Sequence, residues 1–231
     1  MITAEAVLDA LSGVRDPELD EPLTDLGFVA GVHVDGAKVG VRLRLPTYFC
    51  APNFAYLMVA DALDAVRSIP QVADVTLSLD DHFASSEING AVAAGEGFEA
   101  AFPGESGGEL AELRDLFTRK AFTARQSRLC DGLLRAGRTL EELADIRLGA
   151  LRGNPDLTRC IALRERLGID TSAGAPAFVL ADGSALDAEG LARFLRVGRL
   201  VRLSLEGNAG LCRSLLATRY GIPDPEEAAP A

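Results

Sequence analysis

A chain of 231 residues, 48% hydrophobic and 25% charged, is long enough for one large domain or two small ones and apolar enough to bury a core, which excludes a disordered polypeptide. Its 34 Asp and Glu against 23 Lys and Arg leave a net charge of −11, which argues against a nucleic-acid partner, because phosphate recognition draws on a basic surface. No run approaches ~18 apolar residues, so no membrane span is expected, and Met1-Ile2-Thr3-Ala4-Glu5 lacks the basic start and apolar stretch of an export signal. Cys50, Cys130, Cys160 and Cys212 are widely spaced and, without such a signal, read as reduced thiols in a cytoplasmic setting.

The first element is a helix, with Val7, Leu8 and Leu11 at helical spacing from Ala4 to Leu11. Pro17 disfavours the helical conformation at Asp16, and Asp25-Leu26-Gly27 marks a second break. Val29 to Val34 reads as a strand, and Asp35-Gly36 as a two-residue hairpin turn. In the return strand Val39, Val41, Leu43 and Leu45 alternate with Lys38, Gly40, Arg42 and Arg44, giving one buried and one wet face. Pro46 ends it. Asn53 is the expected cap of a helix carrying Phe54, Leu57, Met58, Ala62, Ala65 and Val66, which Pro70 stops before a third strand with Val75, Leu77 and Leu79 inward. The fold class is therefore α/β (α+β): a small α-β-β-α-β domain with a mixed sheet over residues 1–87.

Glycines 90, 95, 97, 104, 107 and 108, with Pro103, predict a Gly-rich linker over 88–108. A mainly helical second domain over 109–222 follows. Its expected helices are 109–134, 139–147, 156–167, 187–195 and 209–219, with short strands at 177–180 and 200–205. The Pro-, Glu- and Ala-rich tail 223–231 is expected to be disordered.

Strands joined by a crossover helix lie parallel, so the C-terminal ends of 38–45 and 75–79 share one edge, the edge that ligand sites in such units favour. That edge receives Pro46-Thr47-Tyr48-Phe49-Cys50-Ala51-Pro52 and Asp80-Asp81-His82. Cys50 and His82 are thus candidates to meet, and the helix start after Cys50 favours its thiolate, the form that binds metal or attacks an electrophile. The competing readings are a buried, inert cysteine and a hydrogen-bonded loop histidine. One thiol cannot hold an iron–sulfur cluster, and there is no Cys-x-x-Cys pair. A metal site on Cys50 is therefore shared between subunits, completed by a partner, or used only for transfer.

Val14-Arg15-Asp16-Pro17-Glu18-Leu19 followed by Leu23-Thr24-Asp25-Leu26-Gly27-Phe28-Val29 resembles the opening motif of the SufT-like iron–sulfur assembly family, and the Thr47–Pro52 loop resembles that family's Thr-Pro-x-Cys-Pro loop with altered spacing. The resemblance covers about residues 1–85. It implies a role in metal-centre maturation with transient binding of iron or an iron–sulfur cluster. Cys50 would be the reactive thiol, with Asp16 and Glu18 near it and Thr47 and Asp81 in support. Partners would be a client metalloenzyme or other assembly factors, with a homodimer also in view. The loop Phe49-Cys50-Ala51-Pro52-Asn53-Phe54 resembles longer members that accompany bacterial binuclear-iron monooxygenases, so such an oxygenase is the implied client.

In the second half, Gly207-Asn208 is expected to open a helix with Cys212 in its first turn, which, with Arg213, favours a thiolate and makes Cys212 a candidate to complete the site begun by Cys50. A core-facing cysteine is the plainer alternative, as it is for Cys130 and Cys160. Arg193, Arg196, Arg199 and Arg202 suit an acidic partner surface or simply a solvated face. The leading function is a non-enzymatic maturation factor. A thiol enzyme with Cys50 as nucleophile and His82 as base, and a metal-free scaffold for an oxygenase subunit, are the alternatives.

Overall fold

The structure, a computed structural model, describes residues 1–104 and 107–222; the expected disordered tail lies outside the described residues. The chain divides into two compact units, Met1–Glu112 with Gly207–Ala231, and Leu113–Glu206.

The first unit opens with α1 (Ala4–Ser12), capped where the Thr3 hydroxyl accepts the Ala6 N–H at 3.1 Å, and it turns Val7 and Leu11 into the core. Strands β1 (Val29–Asp35) and β2 (Lys38–Arg44) form the expected hairpin, with Gly36 at φ 62° in its turn. Helix α2 (Pro52–Arg67) crosses to β3 (Asp74–Asp80), which pairs parallel to β2 in the register Val39↔Val75, Val41↔Leu77, Leu43↔Leu79. The sheet order is β1-β2-β3, with β1 antiparallel to β2. One face buries Val39, Val41, Leu43, Leu77 and Leu79 with Val7, Leu11, Val59, Ala62 and Val66. Each of these valine and leucine side chains contributes roughly 1.5–3 kcal/mol by leaving water. The α-β-β-α-β order and the mixed sheet are as the alternation predicts. At α2 the cap differs: Ala51 occupies the N-cap without a side-chain bond, and Pro52 starts the helix, where its missing N–H is harmless.

The segment expected as a Gly-rich linker is folded over most of its length. It carries α3 (Ser85–Ala94) and α4 (Phe98–Ala101), whose Ile88, Ala91, Val92, Phe98 and Ala101 join the same core. Tyr56 packs edge-on against Phe98 at 5.4 Å and donates its hydroxyl proton to the Glu96 carbonyl at 2.9 Å. Gly95 is a left-handed helix terminator at φ 70°, so its glycine serves a sharp stop between two helices rather than slack.

The second unit is built from α5 (Gly107–Arg135) beyond Glu112, α6 (Leu140–Asp145), α7 (Pro155–Leu167) and the N-terminal part of α8 (Ala188–Tyr220). Thr139 and Glu142 form a reciprocal capping box on α6. Cys130 and Cys160 are buried, and burial first, then Asp131, pushes the Cys130 thiol up to about 12. Asp131 takes ion pairs from Arg199 at 2.8 Å and Arg202 at 3.1 Å, and Arg193 pairs with Glu189, so these three arginines serve the unit's own carboxylates. Buried Arg164 donates to the carbonyls of Asp170, Pro176 and Ala177, clipping the 170–177 loop to α7.

Two expected strands are corrected. Residues 177–180 form no strand, and Val179 makes only an isolated bridge to Ala185, because Gln126 hydrogen-bonds both the N–H and the carbonyl of Val179. Residues 200–205 are helical: 187–195, 200–205 and 209–219 merge into α8, which continues through Gly207 and Asn208. A helical glycine costs about 1 kcal/mol; burial of Leu205, Ala209 and Leu216 on the helix offsets it.

Candidate functional site

Because β2 and β3 run parallel, the loops that follow them leave from the same edge. Backbone contacts lock the two loops together. The Phe83 N–H donates to the Tyr48 carbonyl at 3.0 Å, and His82 Nε2 lies 2.7 Å from the Cys50 carbonyl. The Ala84 N–H donates to His82 Nδ1 at 3.2 Å, so Nδ1 is the bare nitrogen and Nε2 carries the proton given to Cys50. His82 is 3% exposed. Both ring nitrogens are thereby engaged with backbone, which leaves neither for a metal nor for taking a proton from the Cys50 thiol. The histidine shapes the loop that presents the sulfur.

Cys50 sits immediately before the N-cap Ala51 and is half-buried, with its Sγ 3.1 Å from the Thr47 hydroxyl oxygen. Thr47 is therefore placed beside the thiol.

Asp16 is buried in the turn after α1, where one carboxylate oxygen accepts the N–H groups of Glu18 at 2.8 Å and Leu19 at 2.9 Å. Burial raises its pKa to about 6; the bonds from Leu19 and Glu18 oppose that, and the charges of Glu18 and Glu21 add to it. Asp16 is both a turn-former and a charged neighbour of the site.

Cys212 lies well inside α8, not in a first helical turn as expected, and it is half-buried. Burial is the largest influence on its thiol, followed by the charges of Asp16, Cys50 and Glu18, with Arg213 opposing, and the outcome is a pKa pushed up to about 11. The favoured thiolate is thus corrected to a favoured thiol. The charges of Asp16, Cys50 and Glu18 all act on Cys212, which puts the four in one electrostatic neighbourhood.

The C-terminal stretch of α8 is held there by contacts that the sequence does not signal. Arg213 pairs with Glu21 at 2.7 Å. Leu216 packs where a side chain on Gly27 would project, 3.0 Å from that position. Arg219 donates to the carbonyls of Leu45 and Asp81, and the Tyr220 hydroxyl reaches the Asp81 carboxylate at 3.4 Å. The Tyr220 ring has the guanidinium of Arg44 at 4.9 Å and that of Arg219 at 5.1 Å. Asp81 is a supporting residue in this sense: at φ 51° it turns the loop after β3 and anchors the end of α8.

Among the described residues no group of three or more His, Cys, Asp or Glu side chains is placed to hold a metal ion. One chain therefore offers at most two thiols at this edge. Among the described residues no helix is long and apolar enough to cross a membrane.

Residues 4–78 match the profile of a family described as iron–sulfur cluster assembly protein. The chain is 32% identical over 90 residues to an uncharacterised protein of Methanocaldococcus jannaschii, a match that covers 38% of this chain and 93% of that protein. It is 34% identical over 79 residues to an iron–sulfur cluster carrier protein of Synechocystis sp., covering 34% of this chain and 22% of the carrier. The chain thus spans less than a quarter of that carrier's length.

Proposed function

Because the chain belongs, through residues 4–78, to the iron–sulfur cluster assembly protein family, we propose that it takes up iron or an iron–sulfur cluster on Cys50, with Cys212 as second thiol, and passes it to a metalloenzyme client. The single observation that carries this reading is the convergence of Cys50 and Cys212, 162 positions apart, in one acidic neighbourhood at the sheet edge. Two thiols hold a metal less completely than the four of a finished centre, so the cargo is retained and still exchangeable.

Transfer in this scheme is ligand exchange. Each bond from iron to Cys50 or Cys212 is replaced by a bond to a client thiolate, the departing thiolate takes up the proton that the client thiol lost, and the iron keeps its oxidation state. The thiol at Cys212, held up at about 11, gains a proton readily and so favours release. Asp16, Glu18 and Glu21 supply the negative surroundings that draw iron in. A bacterial binuclear-iron monooxygenase is the client favoured by the Phe49-Cys50-Ala51-Pro52-Asn53-Phe54 loop.

The test is transfer from the anaerobically loaded chain to an apo-ferredoxin acceptor, followed by acceptor absorption after separation. Wild type delivers cluster and Cys50→Ser does not. Equal delivery by Cys50→Ser and wild type overturns the proposal.

A further inference from the structure

The second unit carries a cleft of about 280 Å³ between α5, the end of α7 and the loops that bear Asp170 and Asp182. It has room for about nine waters and lies just under the roughly 300–1,000 Å³ of pockets for drug-sized molecules. Arg164 lines it and is 1% exposed. Of the five N–H donors of a guanidinium, three go to the carbonyls of Asp170, Pro176 and Ala177. Among the described residues no carboxylate pairs with Arg164, and its Nε has no partner. Among the described residues only Ser127 Oγ is both unpartnered and sealed from solvent, so this Nε is open to the cleft that Arg164 lines. A buried cation without a counter-ion is costly. Burial accordingly pulls the Arg164 pKa below the usual arginine value, with Cys160 and Asp170 opposing.

The other charges of the cleft decide what a counter-ion must bring with it. Arg119, the second cation of the lining, is spent on Asp115 at 2.8 Å and on the Ala181 carbonyl at 3.2 Å. Asp170 and Asp182 also line the cleft. Each accepts within its own turn, from the Ser172 N–H at 2.8 Å and the Ser184 N–H at 2.9 Å, and each keeps lone pairs to spare. A plain anion would meet one cation and two carboxylates. A molecule carrying both a carboxylate and an ammonium group satisfies all three. Leu167, Ile169 and Val179, members of one apolar cluster, make up much of the remaining wall.

We propose that this cleft binds a free α-amino acid with an aliphatic side chain. Its carboxylate takes the open donors of Arg164 in a charge-assisted bond, its ammonium group faces Asp170 and Asp182, and its side chain lies on Leu167 and Ile169. The site is contained in the second unit, so it stands or falls independently of the cargo reading of Cys50.

The experiment is calorimetric titration of the full chain with the common L-amino acids, one at a time and up to millimolar concentration. An aliphatic member binds and raises the thermal transition. Its N-acetyl derivative, which lacks the ammonium charge, and its amide, which lacks the carboxylate, each bind at least about tenfold more weakly, as the loss of one charged contact predicts. Asp170→Asn/Asp182→Asn keeps an oxygen for Ser172 and Ser184, keeps the thermal transition and weakens the amino acid by at least about tenfold. It also narrows the gap between the amino acid and its N-acetyl form. Absence of binding by every amino acid overturns the proposal. Equal affinity for the N-acetyl or the amide derivative overturns the zwitterion as the ligand, and unchanged affinity in the double variant overturns this cleft as its place.

Discussion

Arg213 on α8 and Glu21 in the turn after α1, 192 residues apart, form a partly buried ion pair of 2.7 Å. The pair joins the C-terminal helix to the segment that carries Asp16, and with Leu216 against Gly27 it sets Cys212 near Cys50. Leu216 is 1% exposed, so Leu216→Ala is expected to cost about 2–5 kcal/mol. Alkylation of Cys212, followed by peptide mass spectrometry at denaturant concentrations well below the main transition, should accelerate in this variant. An unchanged rate would show that Leu216 does not hold α8 in place.

Gly27 sits at φ 75° with Leu216 directly above it. Gly27→Ala meets both a left-handed backbone and the leucine methyl, and a loss of roughly 1–3 kcal/mol is expected. Urea midpoints of Gly27→Ala with and without Leu216→Ala test the coupling: the two losses should fall short of additive, because the second change removes the obstruction met by the first.

Asp16 predicts a pH dependence of stability. Its folded pKa of about 6 lies above the ordinary 3.8, so the folded state holds this proton more tightly than the unfolded state. The contribution is neutral below about pH 4, becomes increasingly unfavourable as pH rises to 6, and levels off above that, at roughly 3 kcal/mol. Asp16→Asn keeps an oxygen for the Glu18 and Leu19 N–H groups and removes the charge. It should be more stable than wild type at pH 7 and show a flatter profile between pH 4 and 6 in denaturant titrations. A parallel profile for the two proteins would refute the assignment.

Cys212 predicts a pH dependence of metal loading. A thiol at about 11 must give up its proton to bind a metal, so its participation adds about tenfold in affinity per pH unit between pH 6 and 8. Titration with Co(II) across that range should therefore lose about one unit of slope in Cys212→Ser. Equal slopes would remove Cys212 from the ligand set.

The sheet was legible because Val39, Val41, Leu43 and Leu45 alternate with polar residues and because Asp35-Gly36 fits only a tight turn. The edge carrying Cys50 followed from the parallel crossover. Less legible was the use of glycine: Gly95 stops a helix and Gly207 lies inside one, and only the packing of Phe98 or of Leu205 and Ala209 decides between those outcomes and a linker or a break. Leu200 to Leu205 reads as alternating, yet on the helix Leu205 faces inward while Leu200 and Leu203 face water. The thiol of Cys212 differs from the expectation for the same reason, since local sequence offers Arg213 but neither the burial nor the distant Asp16 and Glu18 that outweigh it. His82 lies beside Cys50, but its bond goes to the carbonyl and not to the sulfur, a distinction that no spacing rule carries.

The most direct measurement is the iron content and visible sulfur-to-iron absorption of the anaerobically reconstituted chain, compared among wild type, Cys50→Ser and Cys212→Ser. The expected result is loss of both iron and absorption in Cys50→Ser and a weakened, shifted spectrum in Cys212→Ser. Wild-type spectra and iron content in both variants would contradict a cargo held by these two thiols.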